Sequence, residues 1–392
     1  AADVEVGAKG PAPTLVATYR GSTREAPILL LGHLDVVPAD KRDWTHDPFT
    51  PIERDGFVVG RGAVDNKFDV SAMVATLLRL KAEGFAPKRD LILVLSGDEE
   101  SAMASTAVLA ERFKGAFIAL NGDGGGGDLD DANAPVSYGL QAAAKTYAEV
   151  EIAAVDAGGH RSRPPPTNAI YRLARALDRV AAVEFPTQAN DVTRAWFRAT
   201  GAKVGGEKGA AMIRFADNPD DRKAVRLLKG DIDYANKMAT TCVATMLSGG
   251  HAPNALPQRA TATVNCRIFP GVDPSQVQAT LEKAIGDSSV AVKRLDATLA
   301  SDASPLREDV MAAVKKAVEA VAPGAPISPA MSAGATDSLY FRAKGVPSYG
   351  VSGLWMRPSD DFSHGLDERA PVAAFAPAMT HYHVLLTDIA GR

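Results

Sequence analysis

The chain has 392 residues, 46% of them hydrophobic and 23% charged, enough length for two domains with ordinary cores. A formal net charge of -4 supplies no basic field for nucleic acid or an anionic membrane. No apolar run reaches the roughly 20 residues that span a bilayer, so nucleic acid and membrane both drop out as expected partners. The first residues lack the charged-then-apolar pattern of a signal peptide.

In chain order, PILLLG (27–32) reads as a buried parallel strand. A helical pattern follows over about 69–83, then the apolar strand LILVLS (91–96), a helix over about 102–113 and the strand FIALN (117–121). This βαβ rhythm predicts a mostly parallel sheet with helices on both faces. After Tyr147 the period becomes two, as in YAEVEIAAV, which suggests an antiparallel sheet covered by helices at about 167–182 and 275–285. Residues 185–235 are polar and irregular and resist assignment. The α/β rhythm returns with a helix at about 308–321, a strand at 346–351 and a helix at about 371–388. The expected layout is an α/β domain from residues 1–144 and 304–392, with an α+β domain of residues 145–303 inserted between.

The two cysteines, Cys242 and Cys266, lie in β-like runs on either side of GGHAPNALPQ. A hairpin centred near Asn254 would set them opposite each other. A disulfide would imply an oxidising, periplasmic or secreted setting, whereas two buried thiols would suit the cytoplasm.

Ligands of open α/β sheets gather beyond the carboxyl ends of the strands. Those ends carry His33-Leu34-Asp35, Asp98-Glu99-Glu100 and Asp123, with Asp65 between them in GRGAVDNK. An isolated HxD is usually a surface turn and paired glutamates usually a solvated helix start. Three consecutive strand ends delivering imidazole or carboxylate outweigh those readings. Such ligands without thiolate suit zinc or related divalent metals. Two cations need a bridging carboxylate and terminal ligands, and a further carboxylate must accept the proton of an attacking water. One of Glu99 and Glu100 can face a metal and the other the water.

GHLDVVP (32–38), W-x-x-DPF (44–49), DG-x-x-x-GRG-x-x-D-x-K (55–67), SGDEE (96–100) and SHGLDER (363–369) together resemble the di-zinc metallopeptidase family of carboxypeptidase G, acetylornithine deacetylase, succinyl-diaminopimelate desuccinylase and aminoacylase. The resemblance implies a metal-dependent hydrolase of amide bonds in small peptides or N-acyl amino acids, with two divalent ions, zinc first and cobalt or manganese as alternatives. It implies His33, Asp65, Glu100, Asp123 and His364 as ligands, with Asp65 bridging, Asp35 orienting His33 and Glu99 as the base. It also makes the inserted domain a lid and dimerisation domain. His160, in Gly158-Gly159-His160-Arg161-Ser162, would stabilise the oxyanion in the neighbouring subunit of a homodimer. Asn254 and the Gly334-Ala335-Thr336 segment would face the substrate.

The sequence departs from the family pattern in four places. Phe68 replaces a glycine and is expected to narrow the approach to the metals. SAMAS (101–105) lacks the glycines that usually follow DEE. No counterpart is found for the arginine with which the carboxypeptidase branch grips a terminal carboxylate, since Arg307 sits at the next helix. About 26 residues precede the first motif, which suggests a truncated N-terminus. Two other classes compete. Gly122, Gly124 and Gly127 form a literal G-x-G-x-x-G, but an acidic segment ended by Pro135 follows where a dinucleotide fold needs a helix. A non-catalytic peptide-binding relative would be expected to have lost ligands or the base. Serine-hydrolase chemistry lacks its G-x-S-x-G.

Overall fold

The computed structural model describes residues 2–7, 10, 12–160, 165–295 and 299–391. They fall into two compact units, one of residues 1–143, 303–332 and 336–392, the other of residues 144–302 and 333–335.

The first unit is built on a ten-stranded sheet. At its centre Leu91–Ser96, Ile28–His33, Ile118–Asn121 and Ser348–Gly350 run parallel in that order, in registers such as Leu29↔Ile92 and Leu29↔Ala119. Ile28–His33 and Leu91–Ser96 are buried along their whole length, because helices cover both faces. Leu29, Leu31, Ile92 and Val94 point to one face, where Leu109 and Phe341 complete the core. The alternate residues point to the other, where a Cβ on Gly32 would lie 2.8 Å from Val70 of the helix Lys67–Ala82. Antiparallel strands flank this centre, Ala2–Gly7 and Thr14–Tyr19 on one side and Pro135–Ala144 and Gly126–Leu129 on the other. The first pair occupies the stretch ahead of PILLLG that the sequence pattern left unassigned. The parallel centre and the helical layers match the expected fold class.

The second unit carries a four-stranded antiparallel sheet in the order Thr241–Gly249, Arg259–Ile268, Thr146–Val155, Val290–Arg294. Every second residue of Arg259–Ile268 is buried, and helices Ala169–Ala181 and Pro274–Ile285 cover that face. Cys242 and Cys266 are direct register partners and form a disulfide. Residues 185–235, which resisted assignment, contain helices Asp191–Val204, Gly206–Asp217, Arg222–Lys229 and Ile232–Ala235 around Phe197, Met212, Phe215 and Leu228. Two of these helices touch at glycines: a Cβ on Gly201 would stand 2.7 Å from the Gly209 carbonyl. No helix among the described residues is long and apolar enough to cross a membrane.

Candidate metal centre

Parallel pairing brings three strand ends to one edge of the first unit's sheet. His33 closes Ile28–His33 and pairs in register with Ser96, so the Asp98–Glu100 turn emerges beside it. Asp123 follows the neighbouring strand, its N–H donating to the Asn121 side chain at 2.9 Å. Asp65 lies just before the helix Lys67–Ala82, and its carboxylate Oδ1 is 2.8 Å from His33 Nε2. His364 sits at φ 63°, an uncommon conformation for a residue with a Cβ, with Nε2 3.0 Å from both Asp65 Oδ2 and Glu100 Oε1.

Among the described residues, ligand atoms within 4.8 Å of one another form the groups His33–Asp65–Asp123, Asp65–Glu100–His364 and His33–Glu99–Glu100. The first two contain all five side chains expected as ligands and share Asp65. Asp128, the next acid along the same glycine-rich stretch, instead accepts from the Ser137 hydroxyl at 3.1 Å on a strand.

Asp35 organises the middle of this arrangement. One carboxylate oxygen is 3.5 Å from His33 Nδ1. That oxygen accepts the backbone N–H of Glu99 at 3.1 Å and the other accepts that of Glu100 at 3.0 Å, so one side chain fixes both the imidazole and the glutamate pair. Asp98 replaces the missing glycines of the following turn. Its carboxylate accepts Ala104 N–H at 2.9 Å and its carbonyl accepts Met103 N–H, while Met103 itself takes φ 50°.

The cluster is over-supplied with negative charge. Burial, reinforced by Asp123, Asp337 and Glu100, pushes Glu99 up to about 10. Burial and the Asp65, Asp337 and Glu100 carboxylates push Asp123 up to about 8 despite the opposing pull of His33. Burial would depress His33, but hydrogen bonds to Asp35 and Asp65 overcome it and raise the imidazole to about 12. The 2.8 Å gap between His33 Nε2 and Asp65 Oδ1 is where a cation could sit. Imidazoles and carboxylates without thiolate, crowded until they hold protons, fit hard or borderline divalent cations.

Three residues to which the motifs assigned no framework role support the site. Glu368, fully buried, accepts from Arg61 Nη1 at 2.7 Å and from the N–H groups of Gly62, Val64 and Asp65 at 2.9–3.0 Å. That one carboxylate shapes the loop presenting Asp65. Asp337 accepts the hydroxyls of Ser96 and Thr106 at 2.7 and 2.5 Å. Asp69 accepts the Tyr382 and Ser352 hydroxyls and the Gly353 N–H. The acid within SHGLDER was a visible signal, but its backbone partners were not.

None of the remaining sequence candidates joins these ligand groups among the described residues. Thr336 is buried and its hydroxyl accepts from Asn121 at 3.3 Å, while Gly334 is exposed and Ala335 intermediate. Phe68 does not narrow the metal approach: it is buried against Phe375, ring centroids 4.5 Å apart, in a cleft with no His, Asp or Glu in its wall. Its side chain fills apolar space beneath the helix start. Arg307 pairs with Asp309 at 2.7 Å and stacks on Phe117. In the second unit, backbone pairing of Gly159–His160 with Ala255–Leu256 sets His160 opposite Ala255, next to the exposed Asn254. The His160 side chain and Arg161 and Ser162 lie outside the described residues. The same unit gathers Lys145, Lys237 and Arg267, and burial together with the other two cations lowers Lys145 to about 8. Gly122–Gly127 runs into the strand Gly126–Leu129, so no helix starts there to receive a pyrophosphate.

The sequence profile of Peptidase family M20/M25/M40 matches residues 29–388. The chain belongs to that family. It is 29% identical over 364 residues to the N-fatty-acyl-amino acid synthase/hydrolase PM20D1 of Homo sapiens, covering 89% of this chain and 71% of the relative. Its fold is similar to that of the M20 family metallo-carboxypeptidase Sso-CP2 of Sulfolobus solfataricus, with TM-score 0.72, 18% identity and coverage of 98% and 89% of the two chains. It is also similar in fold to the Bacillus subtilis YXEP protein, described as a dinuclear metal binding peptidase, with TM-score 0.60, 13% identity and coverage of 99% and 88%. As an M20 family member the chain is a hydrolase of amide bonds carrying groups suited to metal binding.

Proposed function

We propose that this M20 enzyme cleaves the amide bond of small peptides or N-acyl amino acids, with two divalent ions, zinc first and cobalt or manganese next. The observation that carries the reading is the division of five ligand-type side chains into two groups that share Asp65. His33 and Asp123 would hold one cation, Glu100 and His364 the other, and Asp65 both. Cations bound there would polarise the scissile carbonyl and acidify a water.

Glu99 does the proton work in this reading. Asp35 holds its backbone beside His33, and two of the carboxylates that raise it, Asp123 and Glu100, are ones the cations would neutralise. Relieved of that repulsion, Glu99 accepts the proton of the attacking water and delivers it to the leaving nitrogen. The unit of residues 145–303 would act as lid and dimerisation domain, and residues 1–144 and 304–392 as the catalytic domain. His160 would stabilise the oxyanion in a partner subunit, and Asn254 with Gly334, Ala335 and Thr336 would meet the substrate. Arg267, whose guanidinium donates to the Ala333 carbonyl beside that segment and neighbours Lys145, would take the substrate carboxylate. Support for a homodimer comes from the edge strand Thr241–Gly249, where Val243, Met246 and Leu247 are 62–72% exposed. The Cys242–Cys266 disulfide favours a periplasmic or secreted setting.

The test is a chelator-controlled screen of N-acyl amino acids and dipeptides with product identification and metal analysis. Two metals per chain and chelator-sensitive amide cleavage are expected, and Glu99→Gln should lower kcat by about 10²–10⁴ while keeping its metals. A metal-replete sample inactive on every such substrate would sink the reading.

A further inference from the structure

Asp69 lies buried in the first turn of the helix Lys67–Ala82, shortly after Asp65. Phe68 and Asp69 grip the same distant helix, Phe375–Ala390. Phe68 packs on Phe375, with ring centroids 4.5 Å apart, and Asp69 accepts the Tyr382 hydroxyl at 2.7 Å. Phe375 and Tyr382 are about two turns apart and so share one face of that helix. The helix start that follows Asp65 is thereby clamped at two points. The same carboxylate also reaches the Asp123 side of the centre. It accepts the Ser352 hydroxyl at 2.7 Å and the Gly353 N–H at 2.9 Å. Ser352 N–H donates in turn to the Gly124 carbonyl at 2.9 Å, and Val351 N–H to that of Asn121 at 2.8 Å, so this segment brackets Asp123. Gly122, immediately before Asp123, lies against the Asp69–Tyr382 pair: a Cβ there would stand 2.7 Å from Asp69 Cβ and 3.2 Å from the Tyr382 hydroxyl. A cavity of about 350 Å³ has Asp65, Asp69, Gly122, Asp123 and Ser352 in its wall. Glu100 and His364 are held by other groups, Asp35 on the Glu100 N–H and Arg61 on the His364 carbonyl.

We propose that Asp69 is a positioning residue for one of the two cations, setting Asp123 against Asp65 beside His33, a step that rests on the two-cation reading above. A carboxylate receives all three donors at once, and in buried surroundings a donor left without its acceptor costs most. Truncating Asp69 strands the Tyr382 and Ser352 hydroxyls and the Gly353 N–H together. The loop that carries Asp123 then loses its anchor to the helix start. Asp65 keeps a separate hold, because Glu368 accepts its N–H at 3.0 Å. The displacement therefore falls on Asp123, and the loss of affinity on the His33–Asp65–Asp123 group rather than on Asp65–Glu100–His364.

The experiment titrates cobalt into the full, metal-free chain in two single-site backgrounds, followed by calorimetry and by the visible ligand-field spectrum. His364→Ala leaves the His33–Asp65–Asp123 group intact, and His33→Ala leaves Asp65–Glu100–His364 intact. In the first background Asp69→Ala should weaken cobalt about 10–100-fold, the usual cost of losing a group that orients a ligand. In the second it should change the affinity by about twofold at most. Asp69→Asn keeps a carbonyl for Tyr382 and Gly353 and turns its amide to the Ser352 oxygen, so it should restore affinity to within about fivefold of the parent. Tyr382→Phe keeps the ring and removes one donor, and should cost about fivefold in the first background alone, which decides the matter if Asp69→Ala does not fold. Leu109→Ala, a core truncation on the opposite face of the sheet, serves as the control: it lowers the melting temperature and should leave both affinities and both spectra unchanged. Equal losses in the two backgrounds, no loss in the first, or the same loss from Leu109→Ala would overturn the proposal. If neither single-site parent binds cobalt, the two-cation reading itself falls and takes this proposal with it.

Discussion

The two units hold their decisive side chains by opposite means. In the first, a parallel sheet delivers charged residues to one edge, and further carboxylates then fix what surrounds them: Asp35 the glutamate pair, Glu368 the Asp65 loop, Asp337 and Asp69 the flanks. In the second, an antiparallel sheet holds an aliphatic face by cross-strand pairing and a disulfide, and Lys237 and Arg267 together with burial lower Lys145. The first unit therefore stores electrostatic tension that a cation can release. The second has no such centre among the described residues, and its stability should be indifferent to metal.

The sharpest way to break this contrast is Glu368→Gln. The substituted amide would turn its NH₂ toward donors that the carboxylate now accepts, and leave Arg61 buried without its counter-charge. Breaking a buried pair of this kind costs about 3–5 kcal/mol, measurable by denaturant unfolding. Metal affinity should drop roughly 10–100-fold, because Asp65 loses its support. Unchanged stability and affinity would mean that the Asp65 loop is held by something else.

The second unit answers to a different substitution. The Cys242–Cys266 link closes a loop with a sequence separation of 24, so the double Cys→Ala variant should lose about 3 kcal/mol. Metal content should stay the same if the two units are independent in this respect. A thiol probe applied before reduction should find no free sulfhydryl.

Much of this contrast was legible in the sequence, for physical reasons. Buried parallel strands advertise themselves as apolar runs, and PILLLG and LILVLS were placed within a residue or two. Their carboxyl ends then marked His33, Glu99, Glu100 and Asp123, while His364 needed the family motif. Two cysteines spaced symmetrically about Asn254 allowed the pairing but did not decide it. Residues 185–235 stayed unread because their helices are short and pack on each other rather than on a sheet. Gly201 and Gly209 look like breakers there and serve instead as a close helix contact. Glu368 and Asp69 were invisible as framework because their partners are mostly backbone N–H groups and distant hydroxyls. Phe68 was misjudged because the motif fixes its position but not the direction of its side chain.

Asp69 gives the smallest and cleanest test of the electrostatic side of the comparison. Burial outweighs its hydrogen bonds from Ser352, Tyr382 and Gly353 and raises the carboxyl from 3.8 to about 6. The folded state therefore keeps a proton that the unfolded chain releases between about pH 4 and pH 6. In that window the native state binds more protons, so stability falls as pH rises, and the whole penalty is present above pH 6. A shift of this size corresponds to at most on the order of 3 kcal/mol. Asp69→Asn imitates the protonated acid and cannot titrate, so the stability difference between parent and variant should change across pH 4–6 and stay level from pH 6.5 to 8. Unfolding curves of both proteins at matched metal content measure that difference. A pH-independent difference would show that Asp69 is already charged in the folded protein, and that the hydrogen bonds rather than burial control it.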